Sequence, residues 1–228
     1  MSQPLRLVLF DVDGTLVDSQ SDIVASMRGA FQNEELAAPS KDDILRIVGL
    51  SLEVAIPRLM PGLAEPVYER LVAGYKASYM ALRAAQGSKA SSPLYPYIQE
   101  VLDQLATVDH YLLGVATGKS RRGLDALLQG HGLETRFLTQ QVSDHHPSKP
   151  HPAMIHAALS EMGVDPQNAV MIGDTSFDME MAAAAGVRSL AVGWGYHPVS
   201  ELSKIAQSVV TDVRDLPAAI DNIWEIPT

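Results

Sequence analysis

The sequence predicts an α/β protein, and three observations support that prediction. A short apolar run, Leu5 to Leu9, has the length and character of a buried strand. From about Leu94 onward, short apolar runs alternate with helical patterns, which is typical of βαβ units and a parallel sheet. Between Asp18 and about Ser92, helical patterns follow one another with no convincing strand. The chain is therefore predicted to form a doubly wound, Rossmann-like parallel sheet with a small all-helical cap domain.

The first predicted strand leads directly into a polar stretch that contains two carboxylates. Asp11 and Asp13 stand two residues apart, so their side chains share one face if the chain stays extended. Gly14 permits a sharp turn behind them. Carboxylates this close repel each other unless a proton or a cation intervenes, and a divalent metal satisfies that need. The alternative is an ordinary surface turn, because Asp and Gly both suit turn geometry.

The helical block that follows this motif predicts a separate domain. We expect residues 18–92 to form a cap, and residues 1–17 and 93–228 to form the catalytic core. Both ends of the block would rejoin the core beside Asp11, which suits a lid. The stretch from Gly87 to Pro93 is predicted to be the return linker. The predicted cap helices are Ser21–Glu35, Lys41–Val48, Leu52–Leu59 and Pro66–Ala85.

The remaining elements of the core follow in order from the same apolar periods. Glycines near 130 and 163 mark two of the helix ends. The predicted helices are Pro96–Leu105, Ser120–Gln129, Pro152–Met162 and Asp178–Ala185. The predicted strands are Tyr111–Ala116, Phe137–Val142, Ala169–Ile172, Arg188–Val192 and, at an edge, Ser208–Thr211.

Composition bounds the function. The chain has 228 residues, is 46% hydrophobic and carries a net charge of -10, so general binding to nucleic acid or to an anionic membrane is not expected. It has no cysteine, which excludes disulfides and thiolate metal sites. No apolar run is long enough to span a bilayer, and the N-terminus lacks a secretory pattern. We therefore expect a cytoplasmic protein, either a monomer or a homodimer.

Polar clusters follow three more of the predicted strands. Thr117, Gly118 and Lys119 come after the strand that begins at Tyr111, and Lys149 follows the weaker strand after it. Asp174 and, four residues later, Asp178 follow the Ala169–Ile172 strand. Ligand sites of open α/β sheets lie at the carboxyl ends of the strands, so these clusters are expected to meet.

In this order the four motifs resemble those of the haloacid dehalogenase-like superfamily of phosphohydrolases. The helical insertion after the first motif resembles the subfamily with a helical cap, which includes phosphoglycolate phosphatases. The resemblance covers essentially the whole chain. It implies a Mg²⁺-dependent phosphomonoester hydrolase that acts on a small phosphorylated metabolite, with phosphoglycolate as the leading example.

The resemblance also implies roles for the acidic residues and for one lysine. Asp11 would attack phosphorus and form an aspartyl-phosphate, while Asp13 would act as general acid and then as general base. Asp11, the backbone carbonyl of Asp13 and Asp174 would hold Mg²⁺, which prefers oxygen ligands. Lys149 would neutralise negative charge during transfer, and Asp178 would orient Lys149 or a metal-bound water.

A second group of residues is expected to bind the substrate. Thr117 can donate a hydrogen bond to a phosphoryl oxygen, as can backbone N–H groups at Val12 and near Gly118. Lys119 stands where relatives often carry lysine. Gly49 lies in an apolar cap stretch that we expect to face the pocket and to select the leaving group.

Each of these assignments has a structural alternative. Thr117 could be a helix N-cap, Lys149 an ordinary solvated lysine, and Asp178 a carboxylate that favours the positive end of its helix. Thr15 is expected to close the turn after the carboxylates, and Lys119 could be only a surface charge. The loop from Gly193 to Pro198 could either border the pocket or be a packed loop. Three histidines that suggest a metal site are instead interpreted as surface or rim residues: His145, His146 and His151.

Other functions stay open on the same fold. A phosphosugar mutase of this group would carry a cap histidine about twelve positions after the nucleophile, where this chain has Ile23. A haloacid dehalogenase is disfavoured, because Asp13 and Asp174 supply functions that those enzymes lack. A catalytically silent binding protein is the alternative from a different class, since fold does not determine function.

Overall fold

A computed structural model describes residues 3–225 of the chain. Six parallel strands form one sheet in the order β3-β2-β1-β4-β5-β6. The strands are β1 Arg6–Phe10, β2 Tyr111–Thr117, β3 Thr139–Val142, β4 Ala169–Gly173, β5 Arg188–Val192 and β6 Ser208–Val210. The helices are α1 Gln20–Asn33, α2 Lys41–Arg46, α3 Leu52–Leu59, α4 Glu65–Gln86, α5 Ser88–Ser91, α6 Ile98–Leu105, α7 Arg121–His131, α8 Ala153–Met162, α9 Ser176–Ala184, α10 Val199–Leu202 and α11 Leu216–Ile223. The predicted doubly wound α/β fold is confirmed.

Strand β1 lies at the centre of the sheet, between β2 and β4. Phe10 pairs in register with Val115 on one side and with Ile172 on the other. Since all the strands are parallel, their carboxyl ends lie at one edge of the sheet. The sheet therefore brings the residues after β1, β2 and β4 to a common place, as the strand-end argument requires.

Helices cover both faces of the sheet, which explains why β1 is apolar at every buried position. Val8 and Phe10 point to a face that is packed by α6, α7 and α11. Leu7 and Leu9 point to the opposite face, which is packed by α8 and α9. A strand buried on both sides has no polar face, so its sequence is a continuous apolar run.

Helices α1 to α4 lie between β1 and β2 in the chain and share an apolar cluster of their own. Met27, Phe31, Ile44, Ile56 and Leu71 are buried in that cluster. The division into a core and a cap of residues 18–92 stays a prediction, which this separate cluster supports. The predicted core also includes residues 1–2 and 226–228, which lie outside the described part of the chain.

The two chain connections between core and helical block run side by side. The Asp18 N–H donates to the Pro93 carbonyl oxygen at 2.9 Å, and Val17 forms a β-bridge with Leu94. Both connections therefore start next to the end of β1. This placement suits a cap that moves about a hinge beside the end of that strand.

The structure differs from the predicted elements in three places. The expected linker after Gly87 contains the short helix α5, whose Ser88 hydroxyl donates to the Ala126 carbonyl oxygen on α7. Helices α10 and α11 were not predicted, although Leu216, Ile220 and Ile223 of α11 have apolar helical spacing. Several predicted ends shift by one or two residues. Within residues 3–225, no helix combines the length and apolar character that crossing a bilayer requires.

Candidate active site

Three buried carboxylates meet at the carboxyl edge of the sheet. Asp11 follows β1, Asp174 follows β4, and Asp178 lies in the first turn of α9. One oxygen from each lies within 4.8 Å of the others, and each residue is almost completely buried. Such a group of like charges needs a cation or protons to remain buried. The carboxylate oxygens are the donors that a hard divalent cation prefers, so this donor set fits a metal such as Mg²⁺.

Asp11 is the most constrained of the three. Its Oδ1 lies 2.8 Å from Lys149 Nζ, whereas its Oδ2 is buried and has no hydrogen-bond partner among the described residues. Burial raises the pKa of Asp11 from its ordinary 3.8 to about 7, against the opposing effect of Lys149. A buried carboxylate oxygen without a partner is energetically costly unless something binds it. That oxygen is therefore available to a metal ion or to an electrophile.

Lys149 is buried, with 1% of its surface exposed, so it is not the solvated lysine of the alternative interpretation. Its Nζ lies 2.6 Å from Asp178 Oδ1 as well as 2.8 Å from Asp11. Burial opposes the charge of this ammonium, but Asp11 and Asp178 hold its pKa above the usual range. The lysine is therefore a fixed positive charge beside Asp11.

Asp178 has the supporting contact that was predicted, and it also starts its helix. Besides accepting from Lys149, its carboxylate accepts from the N–H and the hydroxyl of Thr175, at 3.1 and 2.7 Å. The contact with the Thr175 N–H is half of a capping box, which satisfies free N–H groups in the first turn of α9. The functional and the structural interpretations of Asp178 are thus both supported.

The side chain of Asp13 is not part of the three-carboxylate group and has partners of its own. Lys119 Nζ donates to both of its oxygens, at 2.6 and 2.8 Å, and the Ser19 hydroxyl donates to Oδ1. Burial works against the charge of Lys119, yet Asp13 holds the pKa of that lysine above its usual range. Lys119 is therefore not a simple surface charge. The role of the Asp13 backbone carbonyl as a metal ligand stays a prediction.

Gly14 is required where it stands. Its φ of 87° lies in the left-handed region, and a Cβ at this position would overlap the carboxylate of Asp174. The turn after the carboxylates closes as expected, through N–H groups of residues 15–17 that donate to the Val12 carbonyl oxygen. Thr15 does more than the predicted turn closure, because its hydroxyl donates to Asp174 Oδ1 at 2.9 Å.

The loop from Gly193 to Pro198 packs against Asp174, although none of its residues lines the cavity over Asp11 and Asp13. The Tyr196 N–H donates to Asp174 Oδ2 at 2.8 Å, and a Cβ at Gly195 would overlap the Asp174 side chain. The indole N–H of Trp194 donates to the Thr15 carbonyl oxygen. Burial, together with the charges of neighbouring carboxylates, raises the pKa of Asp174 well above its ordinary value. This loop fixes Asp174 in place.

Thr117 ends β2, is buried, and accepts a hydrogen bond from the Lys119 N–H at 3.2 Å. It is not a helix N-cap, because Ser120 has that function for α7 and accepts from the Gly123 N–H. The contacts of Thr117 and of the Val12 and Gly118 N–H groups with a phosphoryl group stay predictions.

The loop around Gly49, in the helical block between β1 and β2, packs directly on the end of β2. A Cβ at Gly118 would lie only 2.5 Å from the Gly49 carbonyl oxygen, so the two backbones are in close approach. Gly49 lines the cavity above Asp11 and Asp13, as the sequence analysis expected. A role of Gly49 in substrate binding is supported by this position and stays a prediction.

The three histidines do not form a metal site in the described part of the chain, where the only group of potential metal ligands is the one with Asp11. His146 Nε2 lies 2.8 Å from Gln141 Oε1. Sequence reasoning missed Ser19, which binds Asp13, and Tyr196, whose hydroxyl lies 3.1 Å from the Ser19 hydroxyl. Neither has a motif that would have identified it, because the two are 177 residues apart in the chain.

Comparisons with known proteins support the family resemblance that these motifs indicate. The family described as haloacid dehalogenase-like hydrolase matches residues 8–192. The probable phosphatase IndB of Dickeya dadantii is 35% identical over 90% of this chain and 89% of its own length. The phosphoglycolate phosphatase of Agrobacterium fabrum is 31% identical, over 96% of this chain and 94% of its own. The tyrosine-protein kinase PtkA of Mycobacterium tuberculosis is 33% identical, over 96% and 72%.

A solved structure extends the likeness to three dimensions. The haloacid dehalogenase-like hydrolase SP0104 from Streptococcus pneumoniae has a TM-score of 0.81 at 26% identity. The match covers 95% of this chain and 98% of that protein. The resemblance inferred from four short motifs is thereby confirmed, and the chain belongs to the haloacid dehalogenase-like hydrolase family.

Proposed function

We propose that the protein is a Mg²⁺-dependent phosphatase that hydrolyses phosphate monoesters of small molecules through an aspartyl-phosphate on Asp11. The observation that carries this proposal is the state of Asp11, with one oxygen beside the Lys149 ammonium and the other buried without a partner. Relatives that are named phosphatase and phosphoglycolate phosphatase support it.

Asp11 and Asp174, with the Asp13 carbonyl, would hold the metal. When bound, Mg²⁺ would neutralise charge on the carboxylates and on the transferring phosphoryl group. Thr15, the Tyr196 N–H and the close backbone of Gly195 keep Asp174 oriented for this task. Such supporting contacts around a metal ligand are what give a site its geometry.

The chemistry of the chain's own residues has two halves. In the first, a carboxylate oxygen of Asp11 forms a bond to phosphorus as the ester P–O bond breaks, and Asp13 gives a proton to the leaving oxygen. In the second, Asp13 takes a proton from water, whose oxygen attacks phosphorus and releases Asp11 and inorganic phosphate. Lys149 holds the carboxyl group of Asp11 and Lys119 holds that of Asp13, so the two groups have separate, fixed orientations.

Replacing Asp11 by Asn tests this function, because Asn is nearly isosteric but is not a nucleophile. We expect Asp11→Asn to abolish hydrolysis of an aryl phosphate in the presence of Mg²⁺, while its thermal unfolding stays cooperative. The wild type, quenched in acid during turnover, should carry one phosphoryl group by intact-mass measurement, and the variant should carry none. Asp125→Asn, at an exposed position on α7, is the matched control. Substantial turnover by the folded Asp11→Asn protein would contradict the nucleophile assignment.

The rival functions receive less support from the structure. A mutase of this fold needs a proton-transferring side chain in the cap, but Ile23, at the corresponding position, is an apolar residue that lines the cavity. A catalytically silent protein has no need for a buried lysine between two buried carboxylates. Activity that is absent with and without Mg²⁺ would favour that second alternative.

A further inference from the structure

A large cavity lies between the cap and the core, directly over the two catalytic carboxylates. Its volume is about 660 Å³, and both Asp11 and Asp13 are part of its wall. Cavities of about 300–1,000 Å³ are those that hold drug-sized ligands. The alcohol part of phosphoglycolate has only two carbon atoms, so it would leave most of this space unfilled.

The volume is not the result of a cap that stands away from the core. The Gly49 and Gly118 backbones are in close approach at one place. The Ser51 N–H donates to the Ser148 hydroxyl at 2.9 Å, and His197 Nε2 lies 3.2 Å from the Arg46 carbonyl oxygen. These three contacts join residues 46–51 of the cap to the core, so the cavity is measured with the cap touching the core.

The apolar part of the cavity wall comes almost entirely from the cap, whereas the core side is lined mainly by polar residues and glycines. Ile23 and Met27 contribute from α1, Leu50 from the loop before α3, and Met80 from α4. Tyr75 and Tyr79 of α4 also line it, with stacked rings whose centroids are 6.0 Å apart. Burial raises the pKa of the Tyr75 hydroxyl well above its usual range, which agrees with a wall of low polarity.

Two of the four cationic side chains in the wall are paired with carboxylates of the protein. Lys119 pairs with Asp13, and Lys76 pairs with Glu53 at 3.0 Å. Arg83 donates to the Ser88 hydroxyl and to the Gly123 carbonyl oxygen, but its Nη2 is buried without a hydrogen-bond partner among the described residues. Arg122, which is exposed, is the fourth cation. The volume of the cavity and the apolar part of its wall, and not a lack of cations, therefore disfavour a two-carbon hydroxy acid.

We infer that the substrate is a phosphate monoester of a bulky, predominantly apolar alcohol, one with a ring or a branched chain, and not of a two-carbon hydroxy acid. This inference rests on the proposed phosphatase activity and names its substrate class. The phosphate group would occupy the carboxylate end of the cavity, and the apolar body would fill the space between α1, α4 and the loop at Leu50. Burying that body on binding provides the selectivity.

Three primary alkyl esters test the inference, because their leaving groups are chemically alike: ethyl phosphate, 2-phenylethyl phosphate and 2-phosphoglycolate. We expect kcat/KM for the phenylethyl ester to exceed that for the ethyl ester by about ten- to a hundredfold, the effect of burying one phenyl group. Phosphoglycolate should be no better than the ethyl ester. A preference for phosphoglycolate, or equal values for the ethyl and phenylethyl esters, would overturn the inference.

Two variants on α4 locate the effect in the cavity. Met80→Glu places a charge in the apolar wall, and Ala77→Glu places the same charge on an exposed position of the same helix that does not line the cavity. We expect Met80→Glu, at a position that is 40% exposed but lines the cavity, to reduce the phenylethyl preference through the loss of apolar contact, and Ala77→Glu to leave it unchanged. Equal behaviour of the two variants would contradict the assignment of this wall.

Binding of phosphonates separates this inference from the proposed function. 3-Phenylpropylphosphonate and propylphosphonate, which cannot be hydrolysed, are compared by calorimetry in the presence of Mg²⁺. Tighter binding of the phenyl compound without hydrolysis of any ester would support the cavity assignment and overturn the phosphatase proposal. Hydrolysis of all esters together with equal affinities for the two phosphonates would support the phosphatase proposal and overturn the cavity assignment.

Discussion

Removing Lys149 should destabilise the protein strongly, and in a way that depends on pH. Lys149→Met keeps an unbranched side chain of similar length but leaves Asp11 and Asp178 buried without their shared cation. Breaking a buried ion pair by removal of one partner costs about 3–5 kcal/mol in the free energy of unfolding. For a chain of this size, each kcal/mol changes Tm by about 2–4 °C, so a loss of about 6–20 °C is expected.

The sign of the pH dependence follows from Asp11. In the unfolded chain Asp11 ionises near 3.8, whereas burial raises its pKa in the folded protein to about 7 even with Lys149 present. Removing the lysine removes the charge that opposes this rise, so the folded variant binds more protons than the unfolded chain. Its stability therefore falls as pH rises from the unfolded value through the folded one, and the Tm deficit should be larger at about pH 8 than at about pH 5.

Thermal unfolding followed by circular dichroism, with a chelator present, measures this deficit without the metal. Lys204→Met, at an exposed position, is the matched control and should behave as the wild type. A Lys149→Met protein with the Tm of the control at about pH 8 would refute the role of Lys149 as the buried counter-charge. A deficit that grows as pH falls would show that the wrong protonation equilibrium has been assigned.

Three further outcomes are expected. Activity should disappear on chelation and return with Mg²⁺, and full activity in excess chelator would contradict this. Ca²⁺ should inhibit, because its longer bonds and larger ligand number can draw both oxygens of Asp11 into coordination. Gly195→Ala should raise the Mg²⁺ concentration required for half-maximal activity, because its Cβ would displace Asp174; an unchanged metal titration would count against that ligand. Gly74→Ala should raise Tm by about 2–4 °C and leave the metal titration unchanged, since Ala favours a helix interior by about 1 kcal/mol. The new Cβ would make an ordinary 3.4 Å contact with Ala30. A lower Tm would show that α1 and α4 cannot accommodate one methyl group.

Much of the fold could be predicted because local pattern and tertiary position agree in this chain. The apolar run before Phe10 is buried on both faces of the sheet, and a strand in that position has no face that meets solvent and could carry polar side chains. The short helix α5 was missed because its Ser88 is fixed by contacts with α7 and Arg83, not by a local helical signal. Helix α11 did carry apolar spacing, so its omission was an error of interpretation and not a lack of signal.

The residues of the candidate site likewise divide into those that the sequence could identify and those that it could not. Motif residues such as Asp11 and Lys149 were identifiable because each follows a strand, and parallel strands end at one edge. The contact of Tyr196 with Asp174 could not be predicted, because it is made by a backbone N–H, which any residue type can supply. The Thr15 hydroxyl could not be assigned to Asp174 because its partner lies 159 residues away in the chain.

By itself, then, the sequence determined the sheet and the helical insertion, and it indicated the groups that we propose to carry phosphoryl transfer, since these depend on apolar period and on residue type. Only the tertiary structure decided that Lys149 lies between Asp11 and Asp178, that Asp13 pairs with Lys119, and that a cavity of about 660 Å³ remains when cap and core are in contact. The physical reason is that pairing and cavity volume are properties of surfaces brought together from distant parts of the chain. No local pattern records which carboxylate a lysine will reach, or how much space two packed domains leave between them.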